Sequence, residues 1–462
     1  MELLSPAGNL EKLRIAYRYG ADAAYVGVRG FSLRSGADSI AGTGRAPMPG
    51  GIAGVEPTPM PEGIAGTRRA PMPEGIAGTG RAPMPGGIVG GRHAVRDGAS
   101  AEETGEVIRR IKGAKRLYGA LNLYAHEADL RRLPAVLDEL RPLPLDALIV
   151  ADIGLVDPIR RAFPDIELHL STQANCTNSS AARMYHRMGF SRIIAARELS
   201  LDEVRSIKDA VPELEVEVFV HGATCMAYSG RCFLSTHMAG RSANRGECAH
   251  SCRWNYALVE KKRPEESYPV EVDERFMTIL SPRDVMLYDR IEEIRAAGVA
   301  SIKIEGRMKS ALYAAVTAAA YRAAIDGAEG ALHERWRDEL LTLPHRPYTE
   351  GFLFADPTTH EPVTDDTPWG SRFLGILTEA VERNGERLWH LDARNAILRT
   401  DTVELLLPAG EVHRIEGPDL RDEEGRPIER AVHGRVARLA PPPELSNRDL
   451  TDGIIRNTCA EA

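Results

Sequence analysis

The stretch EVEVFVHGATCMAYSGRC, residues 215–232, runs from a strand pattern directly into the first two of four clustered cysteines. Its first half, EVEVFVHG, is a short run rich in β-branched residues, as in a buried strand. Seven more short apolar or β-branched runs occur along the chain, at residues 1–7, 23–28, 115–122, 147–152, 167–174, 192–198 and 300–307. Eight such runs alternating with helices predict a parallel (β/α)₈ barrel of the TIM type, whose chemistry gathers at the carboxyl ends of the strands.

Helix patterns fill the intervals between these runs. Leu10, Leu13 and Tyr17 share one helical face, and Ser200 followed by Glu203 is an N-capping pattern. Further helices are predicted at residues 101–111, 130–140, 154–163, 181–188, 201–210, 285–297 and 310–325. We therefore expect the barrel to comprise residues 1–38 and 95–330.

Residues 39–94 are a low-complexity array of 12-residue repeats such as GIAGTGRAPMPG. Their glycine and proline content cannot support a helix or a paired strand, and each copy offers only an isoleucine and a methionine for burial. We predict a disordered insertion in the loop that follows the second strand. That loop belongs to the rim of the barrel where the chemistry is expected.

Residues 345–462 have a different sequence pattern from the barrel region. RPYTEGFLF, RFLGILTEAV, RLWHLDA and DTVELLLPAGEV are short runs separated by glycine, proline and asparagine. This pattern predicts a second, β-rich domain built as a small antiparallel barrel or sandwich.

Composition limits the compartment and the partners. The 462-residue chain carries a net charge of −8, and it has neither a secretory signal pattern nor a run of 18 apolar residues. We expect a cytoplasmic protein with no membrane partner. The acidic balance argues against bulk non-specific nucleic-acid binding, but it allows a local basic patch around Arg241, Arg245 and Arg253.

Polar side chains end most of the predicted strands. They are Ser5, Asn122, Asp152, Ser171, Gln173, Arg197, His221, Glu305 and Arg307. Each of them alone could cap a helix or close a loop. Their common position at one rim of a barrel favours a binding or catalytic site.

The four clustered cysteines are Cys225, Cys232, Cys248 and Cys252, with the spacing Cys-x₆-Cys-x₁₅-Cys-x₃-Cys. In a reducing compartment such a cluster favours metal binding over disulfide formation. Only the second pair has the spacing of a zinc knuckle, and common ferredoxin spacings do not match. An iron–sulfur cluster and a zinc site both remain open on spacing alone. A cysteine nucleophile paired with His221 or His250 would leave three thiols unexplained.

Three longer motifs carry a family resemblance. HGATCMAYSGRCFLS (221–235), GRSANRGECAHSCRW (240–254) and SIKIEGRMKS (301–310) resemble the signature of the collagenase-like peptidase family U-32. The match is nearest to the branch that forms 5-hydroxyuridine in tRNA, and it extends to that branch's small C-terminal β-domain. It is interrupted after FSLRSGADS (31–39), where the repeats stand in place of an Asn-Phe pair that the family has.

The resemblance implies an RNA-modifying enzyme that hydroxylates the wobble uridine of tRNA without molecular oxygen. It further implies a requirement for prephenate and a [4Fe-4S] cluster ligated by Cys225, Cys232, Cys248 and Cys252. Relatives that hydroxylate a cytidine of ribosomal RNA, and the peptidase activity in the family name, are the alternatives. A third alternative is a non-catalytic RNA-binding scaffold in which the cluster only stabilises the loops at the rim of the barrel.

The resulting site hypothesis names nine further residues. A small carboxylate co-substrate would suit the guanidinium groups of Arg197 or Arg307. A flipped base needs polar edges and a stacking surface. The candidate catalytic residues are Arg197, His221, Glu305 and Arg307, and the candidate substrate-binding residues are Asn122, Asp152, Gln173, Tyr228 and Trp254.

Overall fold

A computed structural model describes residues 1–32, 100–225, 227–253, 283–354, 370–383 and 385–457. The repeats at residues 39–94 and the candidate residue Trp254 lie outside these ranges.

Eight parallel strands form a closed barrel. The barrel strands are β1 (Glu2–Pro6), β2 (Ala23–Gly27), β3 (Arg116–Leu121), β4 (Ala147–Val150), β5 (Glu167–Leu170), β6 (Arg192–Ile194), β7 (Glu215–Ala223) and β9 (Ser301–Ile304). Two short strands, β8 (Asp284–Met286) and β10 (Tyr348–Thr349), extend the same sheet beside β7. Strands β1 to β7 follow one another around the barrel, and β9 closes it by pairing in parallel with both β7 and β1. Each of the eight predicted runs contributes one barrel strand, so the predicted (β/α)₈ architecture is confirmed.

Helices alternate with the barrel strands, and others lie in the cysteine segment and after the last barrel strand. They are α1 (Leu10–Arg18), α2 (Ala101–Lys112), α3 (Glu127–Leu140), α4 (Val156–Ala162), α5 (Ser179–Arg187), α6 (Leu201–Ala210), α7 (Leu234–Ala239), α8 (Ile291–Ala296), α9 (Ala311–Ile325), α10 (Gly330–Leu341) and α11 (Gly351–Phe354). The predicted cap of α6 is present: the Ser200 hydroxyl accepts the Glu203 amide at 3.3 Å, and the Glu203 carboxylate accepts the Ser200 amide at 2.8 Å. None of the helices in the described ranges is long and apolar enough to cross a membrane.

The helix expected at residues 285–297 begins later than its pattern indicates. Asp284–Met286 forms β8, which pairs antiparallel with the end of β7 and places Met286 opposite His221. Helix α8 then starts at Ile291. The end of β7 is buried, and its backbone groups need hydrogen-bond partners there, so tertiary pairing overrides the local helix preference.

The C-terminal region is an antiparallel β-structure. Its strands are β11 (Phe373–Arg383), β12 (Glu386–Ala393), β13 (Ile397–Leu398), β14 (Thr402–Leu406), β15 (Val412–Glu416), β16 (Asp419–Arg421), β17 (Arg430–Ala431), β18 (Ala437–Ala440) and β19 (Ile454–Asn457). Seven of them form one sheet around a core that includes Trp389 and Leu405. Tyr348–Thr349, which the sequence groups with this region, instead pairs with β8 of the barrel sheet.

Buried polar contacts join the antiparallel sheet to the barrel helices. The Tyr19 hydroxyl, at the end of α1, donates to the carbonyls of Leu406 at 2.8 Å and Asp452 at 3.0 Å. The Arg456 guanidinium, on β19, binds Glu404 of its own sheet at 2.8 Å and Glu339 of α10 at 2.8 Å. Ile376, Leu406 and Ile454 belong to the same hydrophobic core as the barrel helices.

Candidate functional site

A cavity of about 1070 Å³, which includes solvent at its mouth, opens at the carboxyl ends of the barrel strands. All four clustered cysteines line it. So do six of the other candidate residues: Asn122, Gln173, Arg197, Tyr228, Glu305 and Arg307. These residues come from five different strand–loop connections, and the parallel barrel brings them together because its strands all end at the same rim.

The segment that carries the cysteines is fastened to the rim at three places. The Arg245 guanidinium binds the buried Asp129 carboxylate with its Nη1 atom at 2.9 Å and its Nη2 atom at 3.3 Å. Asn175 donates its side-chain amide to the Ser229 carbonyl at 2.9 Å, and Arg231 lies 5.2 Å from the Tyr124 ring centroid. Burial acts to raise the pKa of Asp129, but hydrogen bonds from Arg245 and the His126 amide outweigh it and hold that pKa below its usual value.

Hydrogen-bond donors accompany the cysteines. The His250 amide donates to Cys248 Sγ at 3.4 Å, and Arg197 Nη1 lies 3.7 Å from Cys225 Sγ. The Asn244 side-chain oxygen accepts the Cys232 amide at 3.2 Å and so fixes the backbone of that ligand candidate. Donors near sulfur stabilise the thiolate form, which is the form that binds metal.

The four cysteines supply the kind of donor that an iron–sulfur cluster requires. None of the four cysteines is in a disulfide, and all four face the same cavity. Nevertheless, within the described ranges no three His, Cys, Asp or Glu side chains are grouped closely enough to hold one metal ion. A [4Fe-4S] cluster is bound by four cysteines that each ligate a different iron, so its ligands are spread more widely than those around a single zinc ion.

Arg197 and Glu305 form one wall of the cavity. Their nearest charged atoms, Arg197 Nη2 and Glu305 Oε2, are 3.8 Å apart, and both side chains are largely buried. The Arg197 guanidinium also lies 4.2 Å from the Phe219 ring centroid, and its buried Nε atom has no hydrogen-bond partner among the described residues. A planar cation held in this way is suited to bind an anionic group in the cavity.

Arg307 occupies a neighbouring wall. Its Nη1 atom donates to the Ser32 hydroxyl at 2.6 Å, and its guanidinium lies 5.8 Å from the Tyr25 ring centroid. A side chain at Gly27 would come within 2.6 Å of this guanidinium, so the glycine leaves room for it. Arg307 is thus held by the second strand–loop connection, immediately before the residues that lead into the repeats.

His221 and Asp152 do not line this cavity, but His221 lines an adjoining cavity that shares Arg197, Phe219, Thr224 and Cys225 with it. His221 is buried among tyrosines, with its Nδ1 atom 3.2 Å from the Tyr321 hydroxyl and its Nε2 atom 3.5 Å from that of Tyr348. Burial lowers the pKa of His221 to about 3, so the ring is neutral at physiological pH. Asp152 accepts the Gly154 and Ala125 amides at 2.9 Å each, which is the helix-capping and loop-closing role that any one of these strand-end residues could have.

Three of the lining residues that were not singled out from the sequence supply aromatic rings or a charge. Tyr25 and Phe219 supply ring surfaces, and Lys303 supplies a buried ammonium group. The sequence signal that could have identified Lys303 is its position inside the apolar run SIKI of β9. Lysine is rarely buried without a partner, so a lysine in such a run suggests a specific role.

The sequence matches two protein-family models and is similar to several named proteins. A model described as peptidase family U32 matches residues 90–362, and one described as peptidase family U32 C-terminal domain matches residues 370–451. The tRNA hydroxylation protein P1 of Bacillus subtilis (strain 168) is 31% identical, over 94% of this chain and 89% of the relative. The tRNA hydroxylation protein P of Haemophilus influenzae is 30% identical, over 89% of this chain and 87% of the relative. The 23S rRNA 5-hydroxycytidine C2501 synthase of Escherichia coli (strain K12) is 37% identical, over 46% of this chain and 31% of the relative.

Proposed function

The chain belongs to the peptidase U32 family, and we propose that it is an enzyme that hydroxylates RNA, with a uridine of tRNA as its substrate. Relatives that align over most of its length are named tRNA hydroxylation proteins, and a partial relative is named for hydroxylation of a ribosomal RNA cytidine. The observation that carries the proposal is one cavity in which four cysteines, three amide side chains and several cations meet.

The cavity offers groups suited to a nucleobase. Enzymes that act on a base take it out of the stack, bind its polar edge and cover its face with an aromatic ring. Asn122 and Gln173 supply amides, and Tyr228 is 52% exposed at the mouth of the cavity. We assign the amides to the base edge and Tyr228 to stacking on the base or its neighbour.

We propose that Cys225, Cys232, Cys248 and Cys252 hold a [4Fe-4S] cluster. Such a cluster supplies electron transfer when bound. The role of the surrounding residues is to set its environment: the His250 amide and Arg197 donate toward two of the sulfurs, and both would stabilise the thiolate form.

We further propose that the target is the wobble uridine and that the reaction uses prephenate and no molecular oxygen. Prephenate is a small carboxylate, and Arg197 and Arg307 present two guanidinium groups to the cavity. The arginines would bind the acid, and Glu305 beside Arg197 would limit the guanidinium to one orientation.

Deletion of the gene followed by mass spectrometry of nucleosides from bulk tRNA and ribosomal RNA tests the proposal. We expect 5-hydroxyuridine and its derivatives to disappear from tRNA and to return with a plasmid copy, under anaerobic growth as well. Unchanged tRNA together with loss of a hydroxylated cytidine from ribosomal RNA would move the substrate to ribosomal RNA. If both RNA pools are unchanged and no second enzyme makes these nucleosides, the hydroxylase assignment is wrong and the peptidase activity in the family name becomes the hypothesis to assay.

A further inference from the structure

Lys303 lies at the floor of the cavity on β9, and its side chain is almost completely buried. Its Nζ atom donates to Glu217 Oε1 at 3.0 Å and lies 4.3 Å from the Tyr25 ring centroid. An ammonium group has three N–H donors. Among the described residues Glu217 is the one group that accepts from this ammonium, so N–H donors remain for a ligand in the cavity that Lys303 lines.

A chain of buried charges runs from Lys303 toward the opposite end of the barrel. Glu217, which is fully buried, also accepts Arg192 Nη1 at 3.1 Å, and the same Arg192 atom donates to Glu2 Oε1 at 2.6 Å. Burial lowers the pKa of Lys303, while the Glu217 carboxylate opposes that change by stabilising the ammonium form. Glu217 therefore fixes the position of Lys303 and favours its ammonium form.

Stability alone gives little reason for this arrangement. Taking paired charges out of water costs free energy, and apolar residues of similar volume often serve a protein core as well or better. The interior of this barrel already has an apolar cluster that includes Leu4, Ile149 and Ile194. A charged pair that ends in a cavity at the catalytic rim of a barrel is better explained by binding.

The charges that line the cavity have an excess of positive sign. Lys303, Arg197 and Arg307 are cationic, and Glu305 is the carboxylate among the described lining residues. Arg197 is close to Cys225 and Glu305, and Arg307 is bound to Ser32. Arg197 lies closer to Phe219, but Lys303 lies near both rings, with its Nζ atom 4.3 Å from the Tyr25 centroid and 5.6 Å from that of Phe219.

We propose that Lys303 is the specificity-determining residue for the small acidic co-substrate, binding its carboxylate at the cavity floor, and that Glu217 is its positioning residue. This inference rests on the proposed function, which requires such an acid. Tyr25 and Phe219 would contact the apolar ring carbons of the acid while Lys303 holds the carboxylate. A small ring-containing acid would thereby be preferred to an open-chain acid of equal charge.

The test uses the full-length protein, reconstituted with iron and sulfide under anaerobic conditions, and measures prephenate binding by calorimetry. Replacing Lys303→Met should weaken prephenate binding about ten- to one-hundred-fold, as expected for loss of a charge-assisted hydrogen bond. Lys208→Met is the matched control, because Lys208 donates to the Pro212 carbonyl beyond the end of α6 and does not line the cavity. It should bind prephenate like the wild type.

A double variant distinguishes a loss of prephenate binding from a loss of folding. Lys303→Met alone leaves the Glu217 carboxylate without one of its two cations, whereas Lys303→Met with Glu217→Gln removes both charges of the pair. Both variants should show the same loss of prephenate binding, and Glu217→Gln alone should show a smaller loss. In hydroxylation assays the KM for prephenate should rise in Lys303→Met while the KM for tRNA stays unchanged.

The outcomes separate this inference from the function on which it rests. Unchanged prephenate binding in a folded Lys303→Met or double variant overturns the role of Lys303, even if the wild type hydroxylates tRNA. A wild-type protein that binds prephenate through Lys303 but leaves RNA unmodified supports the binding site and overturns the hydroxylase proposal. A wild type that does not bind prephenate at all overturns the inference as stated.

Discussion

At the scale of single residues, Cys232 is the cysteine whose role can be tested most cleanly. Its backbone amide is held by Asn244, and its side chain faces the cavity. If the proposed cluster and activity are present, Cys232→Ala should remove one ligand, and anaerobically purified protein should lose most of its iron, its iron–sulfur absorbance and its hydroxylation of tRNA.

Cys176 provides the control for that experiment. It is buried outside the cavity, and burial raises the pKa of its thiol to about 11, which disfavours the metal-binding thiolate. Cys176→Ala should therefore retain iron and activity. Full activity in Cys232→Ala would argue against a catalytic cluster.

The burial of His221 leads us to expect a specific dependence of the free energy of unfolding on pH. Its pKa is lowered to about 3 in the folded protein by burial, with the nearby charges of His345 and Lys309 acting in the same direction and Asp284 opposing them. An unfolded histidine has a pKa of about 6.5, so the unfolded chain binds the extra proton between these two values. The stability contributed by the neutral histidine is complete above pH ~6.5 and falls by up to ~1.4 kcal/mol per pH unit below it.

Urea unfolding at pH 7.5 and pH 5.5 measures this effect. The wild type should lose roughly 1 kcal/mol more than His221→Gln between these pH values, because the variant has no ring to protonate. His237→Gln, at an exposed position on α7, should behave like the wild type. Equal pH dependence in the wild type and His221→Gln would contradict the assignment of a neutral buried ring.

At the scale of elements, the Asp129–Arg245 pair connects α3 to the cysteine segment. Asp129→Asn keeps the size of the side chain but removes the charge, and it should weaken this attachment by about 1 kcal/mol because Arg245 is partly exposed to solvent. Trypsin should then cleave near Arg241 several-fold faster, and the cluster should be lost faster on exposure to air.

The control is the Asp202–Arg205 pair, an exposed ion pair within α6. Asp202→Asn should leave both rates unchanged, because exposed pairs of this kind contribute little. If Asp129→Asn also leaves both rates unchanged, the pair does not fasten the segment.

The order of elements could be predicted from the sequence, since short β-branched runs and helical periodicity are local signals. Ser200 and Glu203 even predict the cap of α6 correctly. The start of α8 was misplaced because Asp284–Met286 is determined by pairing with β7, a contact that local periodicity does not contain.

The site was harder to predict than the fold. Asn122 and Arg197 were found because strand ends of a parallel barrel meet at one rim. The same rule also selected Asp152, which accepts two backbone amides, and His221, which is buried among tyrosines. Lys303 was missed because its significance depends on Glu217, 86 residues away in the chain. Such pairs become visible only once the barrel is closed.

At the scale of the whole molecule, Arg456 joins the antiparallel sheet to the barrel. It is almost fully buried and binds Glu404 of its own sheet and Glu339 of α10. Arg456→Met would leave two carboxylates without their shared cation, so we expect the free energy of unfolding to fall by about 3–5 kcal/mol.

Denaturant unfolding followed by tryptophan fluorescence measures this loss, since Trp336 lies in α10 and Trp389 in the antiparallel sheet. Arg414→Met, which removes an exposed pair with Glu416, is the control and should change stability by no more than about 0.5 kcal/mol. A similarly small change in Arg456→Met would indicate that apolar contacts alone hold the two parts together.

The pairing of β1 with β9 also has a consequence for synthesis on the ribosome. Glu2 lies opposite Ser301 in the register, so β1, which leaves the exit tunnel before the other barrel strands, must wait for the last of them. Until β9 emerges, Glu217 lacks Lys303 and the edge of β1 lacks its partner. Nascent chains shorter than about 300 residues would therefore display open sheet edges, and we expect chaperones that recognise unpaired strands to bind this protein mainly during that interval.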